Sequence, residues 1–179
     1  MTSAAAKGLE RSCGADNRVR SGASRPGFER AEASFSTMRF APHRHDSYAI
    51  GVTLRGVQSF GYRGTTLHSE TGCAFVIHPD ETHDGRAGTD EGFGYRIIYI
   101  APRLISEALG AHALPFVENA VTHECGLHRA ICAALVAFDA PIEDLQFNDI
   151  IARLADALAA HDRAPQTMSK RWCRSISPT

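Results

Sequence analysis

The stretch Tyr48-Ala49-Ile50-Gly51-Val52-Thr53-Leu54 decides the fold class of this 179-residue chain. Its large apolar side chains recur at every second position, with small residues or threonine between them. A period of two is typical of a β-strand, because successive side chains point to opposite faces of a sheet. We therefore expect a β-strand here, and the flanking sequence extends the same pattern in both directions.

Short apolar segments separated by turn residues continue from Phe28 to Ile100. Turns are expected at Arg55-Gly56 and at Arg63-Gly64, where glycine supplies the backbone freedom that a tight turn needs. The run from Cys73 to Ile77 is continuously apolar, as in a strand that is buried on both faces. Short strands with a turn about every ten residues are typical of a β-sandwich or a β-barrel.

After Pro102 the apolar pattern changes from a period of two to a helical period. We expect a short helix around Leu104 to Leu109, a second helix over residues 127–138 and a third over residues 143–161. A short loop between the last two helices predicts that they form an antiparallel pair. The predicted fold class is therefore mainly β, with a small barrel followed by a C-terminal helix pair.

These patterns divide the chain into four segments. Residues 1–27 are rich in Ala, Ser, Gly and Arg, and we expect them to form a disordered leader. Residues 28–101 form the expected barrel, and residues 102–163 form the expected helical segment. Residues 164–179 have no apolar periodicity and are expected to be an irregular tail.

Composition excludes several classes of protein. The chain has 19 basic and 20 acidic side chains and a net charge of −1, whereas a protein that binds nucleic acid by itself usually has a strong basic excess. No run approaches the roughly 18 apolar residues of a transmembrane helix, and the N-terminus has no apolar signal-peptide core. The five cysteines show no C-x-x-C spacing, so we expect free thiols and a cytoplasmic location.

Two polar segments carry most of the candidate chemistry. They are Pro42-His43-Arg44-His45-Asp46 and His78-Pro79-Asp80-Glu81-Thr82-His83-Asp84-Gly85, and two hairpins separate them. On that spacing we expect His43 and His45 to face His83 across one mouth of the barrel. Three imidazoles could bind a divalent metal such as zinc, iron or nickel, with a fourth position left open. Alternatively, the same histidines bond to the backbone and line the entrance of a ligand pocket.

Aromatic and basic side chains on the expected strands complete the candidate ligand-binding set. Arg63 and Arg96 could hold an anion through parallel N–H donors, although each could also be an ordinary surface charge. The tyrosines could line an apolar pocket or pack in the core. The candidate ligand-binding residues are His43, His45, Tyr48, Tyr62, Arg63, Glu81, His83, Tyr95 and Arg96. No nucleophile elbow or triad context is present, so we assign no catalytic residue and do not expect an enzyme.

The order of these segments resembles the N-terminal sensor domain of AraC-type transcription regulators. The resemblance covers roughly residues 28–162, and the matching positions are residues 43–51, Gly56, Phe60, residues 62–64, residues 79–85 and residues 94–99. It implies a cupin-like (jelly-roll) β-barrel, a small-molecule effector pocket inside that barrel, and a homodimer formed by the helices that follow.

A complete regulator of that type also carries two helix-turn-helix units. The resemblance thus implies a ligand-sensing and dimerisation domain, with DNA contacted only through a C-terminal domain missing from this chain. The candidate dimerisation residues are Leu145, Ile151, Leu154 and Leu158, which form one apolar stripe of the third helix.

The alternative is a metal-dependent cupin enzyme, an oxygenase or isomerase that uses His43, His45 and His83. The lack of a suitably placed carboxylate after His45 and the paired helices count against that alternative.

Overall fold

The computed structural model of the protein describes residues 17–163. The strands and helices of this part of the chain are, in order, β1 (Arg18–Ser21), β2 (Phe28–Phe35), β3 (Arg39–His43), β4 (Tyr48–Tyr62), β5 (Thr65–Glu70), β6 (Ala74–Ile77), β7 (His83–Ala87), β8 (Phe93–Ile100), α1 (Pro102–Ala108), β9 (Val121–Thr122), α2 (Cys125–Leu135) and α3 (Asp144–Arg163). The expected mainly β class with C-terminal helices is confirmed.

The strands form two antiparallel layers that share β4. The first layer has the order β1-β2-β8-β4-β6-β9, and the second layer is formed by β3, β7, β4 and β5. The N-terminal half of β4 pairs with β6 and β8, while its C-terminal half pairs with β5 and β7. One long strand therefore holds both layers of the barrel together.

The strand passes from one layer to the other at a bulge between Thr53 and Arg55. The predicted turn at Arg55-Gly56 is wrong, because β4 continues through these residues. Gly56 has a φ of +63°, and a Cβ atom there would lie 2.0 Å from the carbonyl oxygen of Gly92. Only glycine fits such a position, so the residue that suggests a turn in the sequence serves a bulge in the structure.

Side-chain alternation along the first layer separates two apolar cores. The barrel core lies between the layers and includes Phe35, Phe60, Tyr62, Phe75, Phe93, Tyr95 and Ile97. The helix-side core lies on the outer face of the first layer and includes Tyr48, Ile50, Val76, Ile98, Leu104, Ile131 and Leu154. The barrel is thus filled by aromatic rings, and the helices cover one of its outer faces.

The apolar stripe of α3 is used inside the chain. Helix α3 packs against α1 and α2, and Ile151, Leu154 and Leu158 are buried in the helix-side core. Leu145, by contrast, is 83% exposed. The stripe assigned from the sequence to a homodimer interface therefore covers the barrel of its own chain. Dimerisation itself stays a prediction.

The first strand lies within the segment that was expected to be disordered. Residues Arg18–Ser21 form β1, and Val19 is paired with Ala33 of β2 and packs against the barrel core. The sequence pattern does not indicate this strand, because Val19 is its one apolar residue. Residues 1–16 of the expected leader and the expected tail, residues 164–179, lie outside the described residues.

The sequence also predicts that the chain has no transmembrane helix and that its cysteines are free thiols. No helix in residues 17–163 combines the length and the apolar character needed to cross a bilayer. Cys73 and Cys132 are free thiols, as expected. Cys125 is disulfide-bonded, so the expectation of free thiols is wrong for this residue. An odd cysteine count leaves room for a pair, which is why counting alone does not reveal it.

The buried guanidinium of Arg30 on β2 joins the barrel to the helices. Arg30 is 2% exposed, and its Nε atom donates to the carbonyl oxygen of Ala23 at 2.9 Å. Its Nη1 and Nη2 atoms donate to the carbonyl oxygens of Ala134, Val136 and Ala140 at 3.3–3.4 Å. Carbonyls at the end of a helix, here α2, have no partner within the helix, so Arg30 satisfies groups that would otherwise be unpaired.

Replacing Arg30 by methionine is expected to lower the free energy of unfolding by at least about 2 kcal/mol, because buried carbonyls lose a charged donor. Urea denaturation followed by circular dichroism measures the loss. Arg153→Met is the matched control, because Arg153 forms an exposed pair with Asp149 on α3 that solvent screens. Equal losses in the two variants would contradict the role of Arg30.

Candidate functional site

Three imidazole rings lie together at one mouth of the barrel. His43 ends β3 and is paired with His83, the first residue of β7. The ring centroids of His43 and His45 lie 4.3 and 4.8 Å from that of His83, and 6.3 Å from each other. His45 lies beyond the end of β3, so strand pairing and the following loop position this histidine cluster (His43, His45 and His83), rather than a shared strand face.

Each ring of the histidine cluster has its Nδ1 atom bonded to a main-chain carbonyl two residues away. The acceptors, at 2.8–3.0 Å, are Ala41 for His43, Ser47 for His45 and Glu81 for His83. A carbonyl oxygen can only accept, so Nδ1 carries the proton of each neutral ring. The three Nε2 atoms therefore keep their lone pairs.

Burial keeps two of these rings neutral. The pKa of His83 falls to about 4, mainly because burial disfavours the charged ring, and charge on His43 and His45 would lower it further. Burial also lowers the pKa of His45, despite its bond to the Ser47 carbonyl. His45 and His83 are therefore uncharged at pH 7, and their Nε2 atoms act as acceptors.

Neutral imidazoles held by Nδ1–H bonds to carbonyls are the form in which histidine binds metals. Within residues 17–163, however, no three His, Cys, Asp or Glu side chains are arranged so that they could hold a metal ion. The residues predicted as metal ligands are thus brought together, but their arrangement does not fit a metal site. Binding of a polar ligand by these three residues stays a prediction.

A cavity of about 650 Å³ opens beside His83. This volume is within the range of small-molecule sites, roughly 300–1,000 Å³. The cavity lies between the β4–β5 hairpin and the loop from β6 to β7, and its wall is largely polar. Four candidate ligand residues, Tyr62, Arg63, Glu81 and His83, line it.

Arg63 lies in the expected turn between β4 and β5, with a φ of +50° that is uncommon for a residue other than glycine. Its guanidinium carbon lies 4.7 Å from the ring centroid of Tyr62 and 4.3 Å from that of Phe116. The Nε atom donates to the Glu81 carboxylate at 3.1 Å, and Nη1 donates to the Val117 carbonyl at 3.3 Å. The Nη2 atom is buried and has no hydrogen-bond partner among the described residues.

Residues 111–120, which we call the strap, connect α1 to β9 and run past Arg63. The Tyr48 hydroxyl donates to the carbonyl oxygen of Pro115 at 2.9 Å. The Val117 N–H donates to Nε2 of His78 at 3.0 Å. Burial and the nearby Arg63 charge lower the pKa of His78, so the ring remains an acceptor at pH 7. Two side chains of the barrel thereby fix the middle of the strap.

His78 and Tyr99 are site residues that the sequence analysis did not select. His78 ends a wholly buried strand, and a buried polar side chain needs a partner, which is a signal that could have found it. The Tyr99 ring meets the His45 ring edge-on at 5.4 Å. Tyr99 follows Tyr95 in a sequence that is typical of a strand, and nothing in that sequence marks it as a site residue.

Three candidate ligand residues lie away from the cavity. Tyr95 packs among the rings of the barrel core, and Tyr48 packs in the helix-side core beneath the strap. Arg96 lies on the outer face of the first layer, where its Nε atom donates to the Glu32 carboxylate at 2.5 Å. Adjacent residues of a strand point to opposite faces, so Tyr95 and Arg96 could not both line one pocket.

Acid is expected to destabilise the fold between pH 6.5 and about 4 through His83. The folded-state pKa of His83 lies below its unfolded value, so the unfolded chain takes up the proton first as the pH falls. This contribution to stability is complete above pH 6.5 and is lost towards pH 4. It amounts to as much as about 3 kcal/mol.

Urea titrations of the wild type and of His83→Gln at several pH values measure this effect. The wild type should lose more stability than the variant across that interval, because glutamine does not titrate. His112→Gln, which replaces an exposed histidine, is the control and should behave as the wild type. Superimposable pH curves for the wild type and His83→Gln would refute the assignment.

Comparison with solved structures shows similarity to several proteins, of which two described here are named as cupins. KdgF from Halomonas sp. is 18% identical with a TM-score of 0.43, covering 48% of this chain and 79% of its own. A cupin superfamily protein from Desulfitobacterium hafniense is 9% identical with a TM-score of 0.45, covering 50% and 81%. A cupin 2 conserved barrel domain protein from Leptotrichia buccalis is 19% identical with a TM-score of 0.45, covering 49% and 42%. This similarity concerns the fold alone.

Sequence comparison identifies the family. No curated protein sequence matches this chain significantly. The family model described as the AraC-like ligand binding domain matches residues 25–166, which include both the barrel and the three helices. The mouth cavity, the histidine cluster and the strap all lie within that match, and the chain belongs to the AraC-like ligand-binding domain family.

Proposed function

We propose that this chain is the effector-sensing domain of an AraC-type transcription regulator and that its small-molecule effector binds in the mouth cavity. The observation that carries the proposal is a ligand-sized cavity bordered by Arg63, whose buried Nη2 donor has no hydrogen-bond partner within residues 17–163. A site built to receive a polar ligand leaves such a donor unpaired until the ligand arrives.

The proposed effector site differs from the one that the family resemblance implied. That resemblance placed the effector inside the barrel, but aromatic rings such as Phe60, Phe75 and Phe93 fill the space between the layers. The cavity lies instead at the mouth, next to the histidine cluster. There His83 offers its free Nε2 atom as an acceptor, and Arg63 offers a donor.

The strap provides a route from the cavity to the helices. Arg63 bonds to Glu81 in the cavity wall and to Val117 in the strap, and the strap leads through β9 into α2. An effector that competes for the Arg63 guanidinium would bind more tightly to the state in which the bond from Arg63 to the Val117 carbonyl is broken. Its differential affinity would then shift the position of the strap and, through it, the helices.

The regulatory readout is part of the same proposal. The helices would transmit the effector signal within a homodimer, and DNA would be contacted by a separate helix-turn-helix domain. Because Ile151, Leu154 and Leu158 are buried within the chain, such a dimer would use a different part of the helical surface, for example around the exposed Leu145.

A thermal-shift screen of small polar metabolites tests the sensor function. We expect at least one compound to raise the Tm, since a ligand at 100 times its Kd stabilises the folded state by about 2.7 kcal/mol. His83→Ala should lose much of this shift, because it removes the imidazole acceptor from the cavity wall. His68→Gln, which replaces an exposed histidine that does not line the cavity, should keep the shift. Equal shifts in the two variants for every stabilising compound would exclude the mouth cavity as the effector site.

A metal-dependent cupin enzyme is the second candidate function. The shared Nδ1–H bonds of the histidine cluster favour it, while the absence of a metal-holding arrangement within residues 17–163 counts against it. Elemental analysis after purification without chelator separates the two functions. The sensor function predicts no stoichiometric zinc, iron or nickel, and no uptake on titration. A stoichiometric metal that is lost from His43→Ala/His83→Ala would favour the enzyme.

A further inference from the structure

We propose that the mouth cavity binds a zwitterion that carries one carboxylate and one ammonium group, as a free α-amino acid does. The inference rests on the proposed function, because it names the chemical class of the effector. It is derived from two properties of the cavity wall, the unpaired Nη2 atom of one guanidinium and the excess of carboxylates around it.

The unpaired Nη2 atom of Arg63 indicates that the ligand carries a carboxylate. Its Nε and Nη1 atoms are engaged by Glu81 and Val117, and the rings of Tyr62 and Phe116 lie against the guanidinium. The Nη2 atom alone is left buried without a partner among the described residues. A carboxylate is the strongest hydrogen-bond acceptor for a guanidinium N–H, because both groups are charged. One carboxylate oxygen at Nη2 would complete the bonding of this side chain.

Access to Nη2 requires a small movement of the strap. The Phe116 ring lies 4.3 Å from the guanidinium carbon and 5.1 Å from the His78 ring. The Phe116 side chain is nevertheless 51% exposed. Its displacement therefore sacrifices little buried apolar area, and the cost scales with that area. The same movement loosens the strap, which is the change that the sensor function needs.

The rest of the wall favours a positive group. Asp80, Glu81 and Asp84 all line the cavity, and Arg63 is the one basic side chain among its described lining residues. Glu81 pairs with Arg63, and Asp84 lies 4.0 Å from Arg86 outside the lining, so Asp80 is the carboxylate without an ion pair among these described residues. A simple anion would therefore meet a net negative wall, whereas an ammonium group would be attracted to it. A ligand with both charges satisfies Arg63 and offsets the surplus carboxylates.

Isothermal titration calorimetry with matched probes tests this assignment. The probes are L-phenylalanine, L-leucine, L-glutamate and L-lysine, each compared with the amine that lacks its α-carboxylate and the acid that lacks its α-ammonium group. We expect at least one amino acid to bind about tenfold more tightly than both of its matched analogues, since each analogue loses one charge-assisted contact. Titrations above pH 6.5 keep His83 neutral.

Variants of the cavity wall locate the binding. Arg63→Gln should weaken the best amino acid about tenfold or more, and Asp80→Asn should weaken it by a smaller factor. Arg153→Gln, on the exposed face of α3, is the control and should leave the affinity unchanged. Circular dichroism checks that Arg63→Gln is folded. If it is not folded, Asp80→Asn decides, because Asp80 is exposed and its replacement preserves the shape.

Three results would overturn the proposal. The first is equal binding of an amino acid and its matched acid, which would indicate an anion site. The second is no heat of binding from any of the four amino acids up to about 10 mM, a range that covers weak sites. The third is unchanged affinity in both wall variants. A neutral monosaccharide such as D-galactose is also titrated. If the sugar binds and His83→Gln abolishes that binding, the sensor function is supported and the zwitterion proposal fails.

Discussion

The left-handed backbone of Gly56 is the constraint on which the barrel depends. At a φ of +63° it lets β4 bend through a bulge and continue, so one strand pairs in both layers. Its first half supplies the middle of the layer that the helices cover. Its second half ends at the turn that carries Arg63, next to the cavity. The close approach of the Gly92 carbonyl excludes any side chain at residue 56, and the second half of the strand pairs Tyr62, next to Arg63, with His83.

Local chemistry explains which parts of the fold could be predicted. The alternation at Tyr48–Leu54, the turn at Arg63-Gly64 and the buried run before Pro79 are signals read within a few residues, and they hold in the structure. The strand β1 and the partner of the α3 stripe depend instead on distant contacts. Val19 pairs with Ala33 of β2, and Leu154 is buried against the outer face of the barrel. The strand and the burial of the helix stripe therefore depend on distant residues and cannot be predicted from their own segments.

For the candidate site as well, local signals predict some features, and distant contacts determine the others. The spacing of the two polar segments suffices to predict that His43, His45 and His83 meet, because both segments lie at strand ends that pairing brings together. Their chemical role needs more than spacing, since it depends on where each Nδ1 atom finds a carbonyl. Strand parity alone would have removed either Tyr95 or Arg96 from a shared pocket.

The attachments of the strap differ in how they can be released. His78 holds the Val117 N–H through a neutral ring, and burial together with the Arg63 charge keeps its pKa low, although Glu81 and Asp162 act in the opposite direction. Near neutral pH the His78 ring therefore stays an acceptor for this bond. The bond from Arg63 to the Val117 carbonyl is longer, at 3.3 Å, and comes from a side chain that also lines the cavity. Under the proposed sensor function, a ligand that recruits this guanidinium would weaken the strap without any change in protonation, and occupancy of the cavity, rather than pH, would be the variable that reaches the helices.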